Sequence, residues 1–87
     1  MQLARFLNSV FKNDGFILVD AQSKNYIIGS PKSDKPIKVK ILDKKLYYKL
    51  LLHPDLYFGE AYTNGDIIIE NGSLSEFLDL ALMNFGR

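Results

Sequence analysis

The sequence predicts an α+β domain with a small, mostly antiparallel sheet covered by helices. Three observations point there. Apolar residues recur at helical spacing near both ends of the chain, and Ile37, Val39 and Ile41 alternate with Lys38 and Lys40 in its middle. Asp-Gly and Asn-Gly pairs and scattered prolines punctuate the chain between these runs. With 87 residues there is room for one domain. A domain this small buries about 60% of its unfolded surface. The hydrophobic fraction of 47% and charged fraction of 24% are those of a folded globular chain.

Taken in order, Leu3, Phe6, Leu7, Val10 and Phe11 form one face of a first helix. Asp14-Gly15 is expected to end it, with Gly15 in the left-handed conformation. Phe16 to Asp20 reads as a strand, the following Ala-Gln-Ser-Lys-Asn as a turn, and Tyr26 to Gly29 as a second strand. A polar loop from Pro31 to Pro36 leads into the alternating third strand, with one buried and one charged face. Asp43 is placed to cap a helix carrying Leu46, Tyr47, Leu50 and Leu51 on one side. Pro54 either ends that helix or starts a short turn. Residues 55–64 show no clean period, and a short helix near Tyr57 is expected to end at the Asn64-Gly65 turn.

Asp66 to Glu70 contains three consecutive isoleucines and predicts a strand buried on both faces. After the Asn71-Gly72 turn, Ser73 and Glu76 have capping-box spacing. The final helix is expected to bury Leu74, Phe77, Leu78, Ala81, Leu82 and Phe85. Leu80 and Met83 fall off that stripe and are expected at an interface, as are Tyr48 and Tyr57. The element order is αβββαβα.

Few residues here carry chemistry. There is no cysteine, which removes disulfides, thiolate catalysis and Cys-based zinc sites. The one histidine, His53, precedes a proline and reads as a surface or helix-end residue. No glycine-rich phosphate-binding motif is present. Asp66 and Glu70 read as a solvated strand edge rather than an acid–base pair. The N-terminal stretch is interrupted by Arg5, Asn8, Ser9 and Lys12 and lacks the form of a secretory signal. A cytoplasmic protein is expected.

The net charge of +1 argues against a nucleic-acid binder. The charge is uneven: residues 1–49 hold ten Lys/Arg and four Asp/Glu, whereas residues 50–87 hold one and six. The basic excess is densest from Lys32 to Lys49. It is either a solvated face or a contact for an anionic partner such as phospholipid headgroups. On the second reading, Lys38, Lys40, Lys44 and Lys45 are the headgroup contacts. The clustered Tyr47, Tyr48, Tyr57 and Tyr62 serve either core packing or an apolar platform at a domain or lipid interface.

The most informative stretch is HPDLYFGEAYTNGDIIIENGSLSEFLDLAL. Its Gly59-Glu60-Ala61-Tyr62 core is followed by two residues, Gly65, an apolar strand from Ile67 to Ile69, a turn and a leucine-rich helix. This pattern resembles the N-terminal domain of cyclopropane-fatty-acyl-phospholipid synthases and related S-adenosylmethionine-dependent methyltransferases. The likeness covers about thirty residues. In the motif, Gly59 is expected to permit close backbone approach and Gly65 to supply positive φ. Glu60 is expected to accept backbone hydrogen bonds, and Tyr62 to pack its ring with its hydroxyl bonded.

The resemblance implies a sterol-carrier-protein-like fold for a single accessory domain spanning 1–87, without catalytic residues, cofactor or metal of its own. S-adenosylmethionine and bicarbonate would be bound by a C-terminal methyltransferase domain absent from this chain. The chain's end at Phe85-Gly86-Arg87 is expected to mark the boundary with that domain. The expected role is to engage membrane lipid, peripheral to the inner membrane, and to pack on the catalytic partner. The alternative is a purely structural or oligomerisation domain, such as a homodimer, with no lipid contact. A small stand-alone enzyme would need a site the sequence does not offer.

Overall fold

A computed structural model describes residues 1–85. Helix α1 (Gln2–Val10) precedes strands β1 (Gly15–Val19), β2 (Asn25–Gly29) and β3 (Lys38–Ile41). Helices α2 (Leu46–Leu52) and α3 (Pro54–Thr63), strand β4 (Ile67–Glu70) and helix α4 (Leu74–Phe85) follow. The domain is α+β, as expected, with one helix more than the predicted order. Pro54 is the reason. It occupies the first turn of α3, where its missing N–H costs nothing, so the chain breaks after α2 and restarts at once. The expected boundary at Gly86-Arg87 lies outside the described residues.

The sheet order is β2-β1-β3-β4. The β1–β2 and β3–β4 pairs are antiparallel, and β1–β3 is parallel, so the sheet is mixed. The parallel pair needs no helical crossover. Strand β2 returns the chain to the start of β1, and residues 30–37 skirt that end to reach β3.

Asp14 holds this corner. It takes the left-handed conformation at φ 66°, in place of the expected Gly15. Its carboxylate Oδ1 accepts from Gly15 N at 2.8 Å and Lys32 N at 2.9 Å, and its carbonyl accepts from Ser30 N at 3.3 Å. Gly15 is needed for space instead: a Cβ there would run into the Ile28 carbonyl oxygen and come within 2.8 Å of Ser30 N.

One face of the sheet carries Phe16, Leu18, Tyr26, Ile28, Val39, Ile41, Ile67 and Ile69, all buried or half-buried. All four helices add to that core, through Leu3 and Ala4, Leu46 and Leu50, Ala61, and Phe77 and Leu80. The other face carries Ile17, Val19, Ile27, Lys38, Lys40, Ile68 and Glu70, and among the described residues no helix packs over it. This corrects the expectation for β4. Ile67 is buried, but Ile68 points to the uncovered face and is 41% exposed. Lys40 and Glu70 pair across β3 and β4 at 3.5 Å on that same face.

The outer edge of β2 is sealed by a side chain. Asn8 of α1 donates its Nδ2 to the Ile27 carbonyl at 3.3 Å and accepts from Gly29 N at 2.8 Å. Its carboxamide thus occupies the place of a neighbouring strand's peptide. The Ser73–Glu76 capping box forms as predicted, with reciprocal bonds of 3.1 and 2.8 Å. Asp43 accepts from Lys45 N at 2.9 Å just before α2, a turn bond rather than a helix cap.

The β1–β2 turn closes on Asp20. Burial is the largest single influence on its carboxyl and raises it, but hydrogen bonds from Lys24 N, Gln22 N and the Tyr26 hydroxyl, with the Lys24 charge, together outweigh that and hold it below the ordinary carboxylate value. A lowered folded value means the turn gains stability above the unfolded pKa, about 3.9, and loses it as pH falls further. In an NMR titration, the Gln22 and Lys24 amides should therefore report a midpoint below that of a free aspartate. A midpoint equal to it would remove the turn's pH dependence, and a higher one would reverse its sign.

Replacing Asp14 tests the corner. Asp14→Ala loses both carboxylate bonds and the residue's tolerance of positive φ, and should cost about 1–3 kcal/mol in denaturant unfolding. Asp14→Asn keeps an acceptor oxygen and that tolerance, and should cost clearly less.

Candidate functional site

Between the sheet and the helices lies an open-mouthed apolar cavity of about 480 Å³. Phe16, Leu18, Val39, Ile41 and Ile67 of the sheet form its floor. Leu3 and Leu7 of α1 and Leu50 of α2 form one side. Pro54 and Phe58 of α3, with Phe77, Leu78, Ala81, Leu82 and Phe85 of α4, complete it. Asp55, at the start of α3, is the one charged lining residue among the described residues. The volume lies in the range of small-molecule sites, about 300–1,000 Å³.

Aromatic packing shapes the walls. All six phenylalanines of the sequence join one run of ring contacts: Phe58–Phe77, Phe77–Phe16, Phe16–Phe11, Phe11–Phe85 and Phe85–Phe6. Centroid separations run from 5.0 to 6.3 Å, within the favourable range for aromatic pairs.

Helix α4 is moored at its far end by Asn84. Lys12 N and Asn13 N donate to its Oδ1 at 2.8 and 2.9 Å, and its Nδ2 donates to the Asn13 carbonyl at 3.0 Å. The mooring leaves Leu78, Leu82 and Phe85 partly exposed at the mouth, although all three line the cavity. The acids of α4, Glu76 and Asp79, face a separate shallow groove lined also by Met83.

Several expectations for the site change with this geometry. Leu80 belongs to the core at 6% exposure and is not an interface residue, because the buried face of α4 centres on Phe77 and Leu80. Leu78 and Leu82, expected in the core, are exposed at 42% and 64%. Met83 is exposed, as is Tyr48, whereas Tyr57 is half-buried against the core with Lys49 Nζ 5.4 Å from its ring centroid. His53 ends α2 and lies beside Tyr57, as a helix-end residue.

In the Gly-Glu-Ala-Tyr core, Ala61 is buried in α3 and Gly65 takes φ 81° in the following turn. Gly59 needs no close approach: a Cβ there meets nothing within 4 Å. Glu60 and Tyr62 are exposed, and among the described residues neither side chain has a hydrogen-bond partner. The outward side of α3 explains this, since Phe58 and Ala61 turn inward and Gly59, Glu60 and Tyr62 do not.

The four expected headgroup lysines are not brought together. Lys38 and Lys40 sit on the uncovered sheet face, turned away from the cavity, and Lys44 and Lys45 sit exposed at the start of α2. The sequence reading missed Asp55, Phe58 and the cavity itself. Phe58 three residues before the inward Ala61 was the available signal, visible once Pro54 is read as a helix start.

Chemically, the lining offers dispersion contacts and almost no hydrogen bonds. Among the described residues no group of His, Asp or Glu is placed to hold a metal ion, and no helix is long and apolar enough to cross a membrane. The chain matches no protein-family model and no curated protein.

The open space at Gly59 yields a direct expectation. Glycine inside a helix costs up to about 1 kcal/mol relative to alanine, so Gly59→Ala should raise the unfolding free energy by about 0.5–1 kcal/mol. An unchanged or lowered value in chemical denaturation means Gly59 has a packing role within the domain after all.

Proposed function

We propose that this domain is a non-catalytic, lipid-engaging module that shelters an apolar chain in the cavity between its sheet and α3–α4. The observation that carries the reading is the cavity lining, apolar apart from Asp55 and open at a rim of exposed Leu78, Leu82 and Phe85. A hydrocarbon placed there leaves water and regains the dispersion contacts that the facing walls cannot make with each other. The sterol-carrier-like character and the cyclopropane-fatty-acyl-phospholipid synthase resemblance are compatible with this role. On that reading the methyl transfer, S-adenosylmethionine and bicarbonate belong to a separate methyltransferase domain. This domain would work in the cytoplasm at the inner membrane.

A structural role in domain packing is the second reading. Its support is the outward side of α3, where Gly59, Glu60 and Tyr62 stand exposed. An exposed glycine inside a helix, with open space above it, suits the close approach of another backbone.

An environment-sensitive apolar dye, displaced by a long-chain alcohol, tests the cavity. The dye should bind at one saturable site, and Ala81→Phe, which projects a ring into the cavity, should weaken it by about tenfold or more. Circular dichroism should show the variant folded. No saturable binding, or binding untouched by Ala81→Phe, would overturn the lipid reading and leave domain packing.

A further inference from the structure

We infer that the outer side of α2 and the start of α3 form a docking surface for an anionic lipid bilayer, set beside the cavity mouth. Tyr48, Leu52 and Leu56 are 70%, 73% and 61% exposed. Tyr48 and Leu52 are four apart on one face of α2, and Leu56 stands exposed in the first turn of α3, just past the break in the helical backbone at His53 (φ −143°, ψ 73°). The same face of α2 carries Lys45 and Lys49, with Lys44 at its margin. Among the described residues none of these three lysines is in an ion pair.

Leu46 and Leu50 hold the opposite face of α2 in the core, so the outward residues cannot turn in. An apolar strip edged by exposed cations, with Lys49 Nζ also over the Tyr57 ring, is the pattern of a helix lying at a membrane interface. The leucines enter the acyl boundary, the tyrosine ring lies at headgroup level, and the lysine stems reach anionic headgroups.

The nearby acids are accounted for. Asp43 is turned to Lys45 N and Asp55 to Leu56 N, each at 2.9 Å, and Glu60 lies one turn beyond Leu56. Residues 44–52 themselves carry three lysines and no acid. Pro54 and Asp55, between the two exposed leucines, line the cavity, so a bilayer meeting Leu52 and Leu56 also meets the mouth. That orientation rests on the proposed lipid role of the cavity. The docking itself does not.

Co-sedimentation with phosphatidylcholine vesicles, with and without phosphatidylglycerol, tests it at low and moderate salt. The domain should pellet with the anionic vesicles, and less so as salt rises. Lys45→Glu/Lys49→Glu and Leu52→Glu/Leu56→Glu should each weaken binding by about tenfold or more. Ile27→Glu, on the uncovered sheet face, should leave it unchanged. The apolar dye should still bind the Leu52→Glu/Leu56→Glu protein, which shows that it is folded and separates docking from cavity occupancy. Absence of vesicle binding, equal binding to both vesicle types, or an equal loss with Ile27→Glu would overturn the inference. A protein that pellets with vesicles but binds no dye would uphold docking and overturn only the cavity reading.

Discussion

The fold turns on the close meeting of Asp14, Gly15 and Ser30. At this point α1 has ended, β1 begins and the chain leaving β2 passes on its way to β3. A parallel pair between β1 and β3 requires the intervening hairpin to return to the start of β1 and then cross its end. Asp14 links the three chain segments with one carboxylate oxygen and one carbonyl oxygen, and only a residue without Cβ fits at position 15. Register in the central strands, and so which face of the sheet meets the helices, follows from this joint.

With the sheet's face set, the helices have one side to cover, and they cover it unevenly. Helices α1, α2 and α3 bring Leu3, Leu50 and Ala61 into the core, while α4 reaches it through Phe77 and Leu80. The Asn84 bonds fix the far end of α4 to the loop after α1. The space left over is apolar because every element except β2 turns apolar side chains toward it. Lipid engagement, as proposed, uses this same surplus of apolar surface: part lines the cavity, and part stands outside it at Leu52, Leu56 and Leu82.

The features legible in the sequence are those specified within a few residues. The alternation from Ile37 to Ile41, the β1–β2 hairpin and the Ser73–Glu76 box depend on short-range geometry, and each forms as its pattern predicts. Helix α3 was obscured because Pro54 looks like a stop, Gly59 interrupts it, and apolar Leu56 and Tyr62 point outward. In α4, leucines occur all around the helix, so periodicity alone could not choose between Leu80 and the Leu78–Leu82 side. The choice is made by where Phe16 and Phe58 receive Phe77. The three isoleucines of β4 misled for a similar reason: their burial depends on which face of the sheet the helices cover, which is a long-range property. The cavity is the extreme case, since it is a gap between elements rather than a feature of any one of them.

A cavity in so small a domain also has a thermodynamic meaning. Walls that face a void forgo contacts, and in cores the deficit grows with the volume left empty. A molecule that fills the space in the folded form and ignores the unfolded chain raises stability by RT ln(1 + [L]/Kd). At a ligand concentration about 100 times Kd the increment is about 2.7 kcal/mol, a sizeable share of the roughly 5–15 kcal/mol that holds a domain folded. With the proposed ligand, resistance to unfolding would then track ligand supply, and cavity occupancy and persistence of the fold would be linked measures of one equilibrium.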